Sequence, residues 1–143
     1  MTRWLAVDPG DQHIGLAVSD ETGQVARPLT TLTHTARGQD AARIVALADE
    51  QAAGGLVVGL ALDADGQRGP RARQAERLAE ALRALTSLPV VLWDESLSSH
   101  EARRLLRAAG KKRRARRAQE HAAAAAVILQ SYLDAYPPET PPR

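Results

Sequence analysis

The sequence predicts an α/β fold: one mixed five-stranded sheet, three strands antiparallel and then two parallel, flanked by helices on both faces. Short apolar runs separated by tight polar turns open the chain, and segments of helical spacing then alternate with short apolar runs. At 143 residues and 44% hydrophobic, the chain can bury one substantial core.

Trp4 to Val7 is apolar and stopped by Asp8-Pro9-Gly10, which reads as a buried strand entering a turn. His13 to Val18 is the second strand, Asp20 to Gly23 a polar turn, and Val25 to Leu32 the third strand. Turns this short favour an antiparallel meander. From Gly38 apolar positions recur at helical spacing through Ala53, where Gly54-Gly55 is expected to end the helix. Leu56 to Leu60 is a buried strand. Pro70 to Thr86 is a helix with Pro at its start, and Pro89 leads into the strand Val90 to Trp93. Strand, helix, strand, helix, strand implies parallel crossovers.

Ser98 with Glu101 three residues later is a capping-box pattern, for a helix running to about Ala109 with Gly110 as its C-cap. Glu101 therefore reads as structural. A basic loop follows, Ala118 to Ala135 is the last helix, and a Pro-rich tail from Pro137 is expected to be disordered. Residues 1–136 thus form one domain and 137–143 its tail.

Composition narrows the chemistry. With no Cys, disulfides, thiolate metal sites and cysteine nucleophiles are excluded. The N-terminal apolar run is too short for a signal-peptide core and no run of about 18 apolar residues occurs, so a cytoplasmic chain without a membrane partner is expected. Aromatic residues make up 3% and Phe is absent, so the core must pack from Ala, Leu and Val with helices close to the sheet. The formal net charge is only +2, yet Lys111, Lys112, Arg113, Arg114, Arg116 and Arg117 place six cations in seven residues. Such a cluster is an electrostatic footprint for a polyanion, or else a solvated loop. Arg68, Arg71 and Arg73, beside Gly66 and Gly69, form a second cationic stretch that either approaches phosphates or is solvated linker.

Acids stand at the ends of two strands: Asp8 after the first, and Asp94-Glu95 after the strand from Val90. Open α/β sheets handle ligands at such ends. Clustered carboxylates suit a hard divalent cation, and two such ions about 4 Å apart serve phosphodiester hydrolysis. Asp-Pro-Gly is also a common turn, and Asp-Glu before a helix can serve only the helix dipole, so spacing alone leaves both readings open. His13, His34 and His100 read as structural.

Four segments narrow the choice. Val7-Asp8-Pro9-Gly10 with Ile14 to Asp20, Val57 to Leu60, Trp93 to Ser99 and Ala126 to Leu133, in this order and spacing, closely resemble the YqgF family, also called RuvX. The resemblance covers nearly the whole chain to Tyr136. It implies an RNase H-like domain related to the RuvC resolvases, and a nuclease of 5′-end maturation of precursor 16S ribosomal RNA or, alternatively, of Holliday junctions. By the family pattern Asp8 is the first acid and Glu95 the second. The third position, nine residues before Gln130, is usually Asp and is His121 here. Glu120 is its neighbour, but consecutive helical residues point about 100° apart, so the two cannot face the site equally.

The site expected is therefore Asp8, Glu95 and His121 as catalytic residues and metal ligands, with Asp94 and Glu120 as alternative ligands. A neutral imidazole suits first-row transition metals better than Mg²⁺, which points to Mn²⁺ over Mg²⁺. The expected partner is RNA, with structured DNA as the alternative, for a monomer or weak homodimer. A reading of another class is a ribosome-assembly factor that binds nucleic acid without cleaving it, supported by the missing Asp.

Overall fold

In the computed structural model, which describes residues 2–95 and 113–136, a single five-stranded sheet carries helices on both faces. The elements are β1 (Trp4–Asp8), β2 (His13–Ser19), β3 (Ala26–Thr33), α1 (Arg37–Glu50), β4 (Gly55–Leu60), α2 (Pro70–Leu85), β5 (Val90–Asp94) and α3 (Arg113–Ala135). Strand order is β3-β2-β1-β4-β5. β1 pairs antiparallel with β2 and parallel with β4, β2 antiparallel with β3, and β4 parallel with β5. The expected meander and crossovers are both present. The expected helix after Ser98, its Gly110 cap, Lys111, Lys112 and the tail from Pro137 lie outside the described residues.

Period-two alternation along β1 divides the core in two. Leu5 and Val7 point to the face where Ile14, Leu16, Val18, Leu56, Val58 and Val90 meet Ile44 of α1 and Leu78 and Leu82 of α2. Ala6, Ala17 and Val57 point to the other face, against Ala125, Ile128 and Leu129 of α3. That second face is built from small residues, so α3 lies close to the sheet. A Cβ on Gly15 would stand 1.9 Å from the backbone oxygen of His121. The anchor of α3 is aromatic: Tyr132 packs edge-on against Trp4 and Trp93 at 5.0 and 5.4 Å, and Tyr136 joins Trp93 at 5.8 Å. Gln130 ties the same helix to β3, accepting from the Ala26 N–H and donating to the Gln24 carbonyl.

Two boundaries differ from expectation. α1 stops at Glu50, and Ala52, with φ of 54°, takes the left-handed position normally given to Gly. The Ala53 N–H bonds to Ala48 O and the Ala52 N–H to Asp49 O, which is the Schellman pattern. Gly55 instead answers to packing, because a Cβ there would meet the Trp4 ring at 2.3 Å. α3 begins at Arg113, five residues before the expected Ala118, so the backbone of Arg113, Arg114, Arg116 and Arg117 is helical rather than looped. Arg and Ala are both strong helix formers, and the charge run masks that propensity.

Gly15→Ala is expected to destabilise the protein by about 1–3 kcal/mol, the usual cost of overpacking, because the clash is with backbone rather than a flexible side-chain end. A urea midpoint equal to that of the parent chain would show that α3 does not depend on this approach.

Candidate active site

Parallel pairing of β1, β4 and β5 brings the carboxyl ends of these strands to one edge. Asp8 closes β1, and Glu95 follows β5 directly, its N–H bonded to Leu60 O at 3.0 Å. Asp8 shares the α3 face with its strand partner Gly15. Between the two acids β4 presents Gly59, where a Cβ would lie 2.9 Å from Glu95 Oε2 and 2.9 Å from Ile128 Cδ1. The bare glycine makes room for the Glu95 carboxylate under α3.

Asp8 and Glu95 are hydrogen-bonded to each other, and Glu95 is only 6% exposed. Burial first, and then the charge and hydrogen bond of Glu95, push the Asp8 carboxyl up to about 8, while Arg71 pulls it down. Arg71 stands on the first turn of α2 with Nη2 3.6 Å from Glu95 Oε1, yet its side chain is 68% exposed. A cation so solvated offsets little of a buried negative charge. Two carboxylates brought together in a buried pair are a donor set that fits a divalent cation, which commonly binds through one or two carboxylates together with substrate phosphate. Asp94, by contrast, is exposed.

His121 lies on α3 with its backbone over Gly15, on the same sheet face and at the same edge as Asp8. Its ring stacks on His13, centroids 5.0 Å apart and 26° from parallel. Burial first, and then the charge of His13, lower its pKa, while Glu120 opposes them. The imidazole is thus held toward its neutral form. Among the described residues no group of three or more His, Cys, Asp or Glu is placed to hold a metal ion, so His121 is at the acidic edge without closing a three-ligand cluster. His13, read as a structural strand residue, is its stacking partner, a contact between β2 and α3 that no local pattern announces.

The cations separate. Arg68 is engaged by Glu76 through Nε and Nη2 at 3.0 and 3.1 Å, which ties the loop to α2. Arg73 is exposed. Because α3 runs from Tyr132 beside Trp4 to His121 beside the Asp8 edge, the backbone of residues 113–117 continues roughly 6–12 Å further along the helix axis at 1.5 Å per residue. The basic turns therefore extend past the acidic edge.

Residues 2–135 match the family described as "RuvX: Holliday junction resolvase". A protein of Geobacillus kaustophilus named "Putative pre-16S rRNA nuclease" is 47% identical over 135 residues, covering 93% of this chain and 98% of its own. One of the same name from Chloroflexus aurantiacus is 42% identical over 131 residues, covering 92% and 86%. Among solved structures, T. thermophilus RuvC in complex with Holliday junction substrate superposes with a TM-score of 0.61 at 17% identity, covering 96% of this chain and 98% of that one. The fowlpox virus Holliday junction resolvase gives 0.60 at 10% identity, covering 94% and 99%. At such identities the likeness is one of fold, and it is the RuvC-like form of the RNase H fold. The match across 134 residues and the close relatives together make this chain a member of the RuvX family.

Proposed function

We propose that this chain is a divalent-metal-dependent nuclease that hydrolyses phosphodiester bonds in RNA, in 5′-end processing of precursor 16S ribosomal RNA. The observation that carries the reading is the buried Asp8–Glu95 pair, whose charge Arg71 compensates only in part. The names of the relatives supply the RNA substrate. A bound divalent ion would supply a polarised phosphoryl oxygen and an activated water. Asp8 and Glu95 hold that ion, buried enough that their charge is poorly screened. Arg71, exposed beside Glu95, is placed to meet a phosphate oxygen. The backbone is gripped by Lys111, Lys112, Arg113, Arg114, Arg116 and Arg117, with Arg73 contributing from α2.

His121 is the third ligand in this reading and biases the site toward Mn²⁺ over Mg²⁺. The place of its backbone over Gly15, the strand partner of Asp8, and its lowered pKa support that role, since the neutral imidazole is the ligating form. Structured DNA is the second reading, favoured by the family description and by the fold shared with resolvases.

Asp8→Asn and Glu95→Gln are each expected to slow cleavage at least about 100-fold, the scale on which single catalytic groups act. Labelled structured RNA, single-stranded RNA and a four-way DNA junction, each with Mn²⁺, Mg²⁺ or EDTA, separate the substrates. Binding of RNA without cleavage in either metal would replace the nuclease with an assembly factor. Cleavage of the junction alone would replace RNA with DNA.

The Mn²⁺ bias has its own test. His121→Asp is expected to move the preference toward Mg²⁺; equal parent rates in the two metals, or a preference unchanged by the substitution, removes His121 from the site.

The raised Asp8 carboxyl has a stability signature in metal-free protein. A carboxyl raised from 3.8 to about 8 binds its proton more tightly folded than unfolded. Its contribution to stability is fully present below 3.8 and is lost as pH rises through about 8. In EDTA, Asp8→Asn is therefore expected to raise Tm at about pH 9, at roughly 4 °C per kcal/mol relieved, and to change it little at about pH 3.5, below the unfolded value. An equal or lower Tm at the higher pH would show that the pair is not repulsive.

A further inference from the structure

A second site adjoins the acidic edge on the other side of the Asp8–Gly10 turn. A cavity of about 280 Å³ opens between this turn, the start of α1 and the Gln74–Leu78 stretch of α2. Pro9, Ile14 and Leu78 give it apolar walls, and His34, Arg37 and Gln74 give it a polar rim. It is small beside the roughly 300–1,000 Å³ of small-molecule sites, which suits one nucleoside unit rather than a longer segment.

The polar rim is held in place from behind. Asp40 of α1 is 2% exposed and accepts from the Thr35 N–H at 3.1 Å, from Thr35 Oγ1 at 3.2 Å and from Arg43 Nη2 at 2.7 Å. It also contacts His34 Nδ1. Burial works to raise the Asp40 carboxyl, but the hydrogen bonds from Thr35, His34 and Arg43 outweigh it and hold the group below the ordinary range. An ionised carboxylate only accepts, so His34 Nδ1 carries a proton and Nε2 is the nitrogen that can meet a ligand. α1 starts at Arg37 with Ala36 as an N-cap that makes no side-chain hydrogen bond, and both residues line the cavity. Gln74, one turn beyond Arg71, donates weakly to the Gly10 carbonyl at 3.4 Å. Its amide can both donate and accept, as the edge of a base requires.

Apolar walls for a ring, an amide for its edge, and a cation beside an imidazole for an anion make up the chemistry of a nucleoside monophosphate. Resting on the reading of this chain as a nucleic-acid enzyme, we propose that the cavity seats one nucleotide of the substrate strand, its base between Ile14 and Leu78 against Gln74 and its phosphate at Arg37 and His34. The turn shared with Asp8, and the helix end that carries both Arg71 and Gln74, would make this nucleotide a neighbour of the scissile bond. Arg37, His34 and Gln74 are on this proposal positioning residues.

The test is binding by NMR to the full chain in EDTA, with adenosine 5′-monophosphate, adenosine, inorganic phosphate and an RNA trinucleotide as probes. The monophosphate is expected to move the His34 imidazole and Gln74 side-chain resonances, and to bind roughly tenfold tighter than either adenosine or phosphate. Arg37→Ala and Gln74→Ala, with spectra otherwise unchanged, should each weaken it about fivefold or more. The trinucleotide should bind about tenfold tighter than the monophosphate. Phosphate binding as tightly as the monophosphate, shifts confined to other surfaces, or either variant binding like the parent would overturn the site. A trinucleotide no tighter than the monophosphate would overturn its assignment to the substrate strand. Because no cleavage is read, an active nuclease with a silent cavity rejects this inference alone, and a binding but inactive chain rejects the nuclease alone.

Discussion

The approach of α3 to the sheet sets where everything else can stand. Gly15 and Ala17 on β2, Ala6 on β1 and Gly59 on β4 leave the helix face of the sheet nearly bare at its centre. The α3 backbone settles onto Gly15, Ile128 reaches over Gly59, and the space left at the strand ends is taken by the carboxylates of Asp8 and Glu95. A larger residue at either glycine would compete with helix or carboxylate for the same volume. The acidic pair is therefore a product of packing as much as of charge: close packing desolvates the two acids, and desolvation is the largest cause of the raised Asp8 carboxyl. Stability is given up locally at these two acids.

Much of this was legible in the sequence. All five strands and the helices at α1, α2 and α3 follow from short apolar runs, helical spacing and Gly and Pro punctuation, because those signals are local. Asp8 and Glu95 were legible for a related reason: an acid closing a buried strand is at the ligand end of an α/β sheet whatever the rest of the fold. The boundaries were less so. Gly54-Gly55 looked like a helix cap, yet Ala52 accepts the left-handed turn and Gly55 is needed under the Trp4 ring, a contact made across strands. The start of α3 was hidden by its charge, because six cations in seven residues resemble a loop even where most of those residues favour helix.

What the sequence could not show is pairing over distance. Arg68, Arg71 and Arg73 look alike in a row, but Arg68 is bound by Glu76, Arg71 faces Glu95 and Arg73 is exposed. His13 and His121 are more than a hundred residues apart and stack. Asp40 reads as an ordinary acid in a first helical turn, where it would complement the helix dipole from the surface. It is in fact buried and organises Thr35, His34 and Arg43 around itself. No periodicity distinguishes a solvated Asp from a buried one whose partners come from the preceding loop and the next turn of its own helix.

The aromatic residues limit how a nucleic acid can be recognised. The chain has two Trp, two Tyr and no Phe, and all four pack on one another where α3 is anchored to the sheet. Stacking platforms for unpaired bases are usually aromatic, and each stacked base contributes on the order of 1–3 kcal/mol. With the aromatics committed to holding α3, the proposed grip on the substrate falls to cations on the phosphate backbone, a salt-dependent interaction that carries little sequence information. On the proposed seating of a nucleotide, discrimination between bases falls to aliphatic walls and single polar groups near the Asp8–Gly10 turn. On that proposal shape and backbone come first, and base identity would enter through a side chain such as Gln74, whose bond to the Gly10 carbonyl is a long 3.4 Å and so easily exchanged.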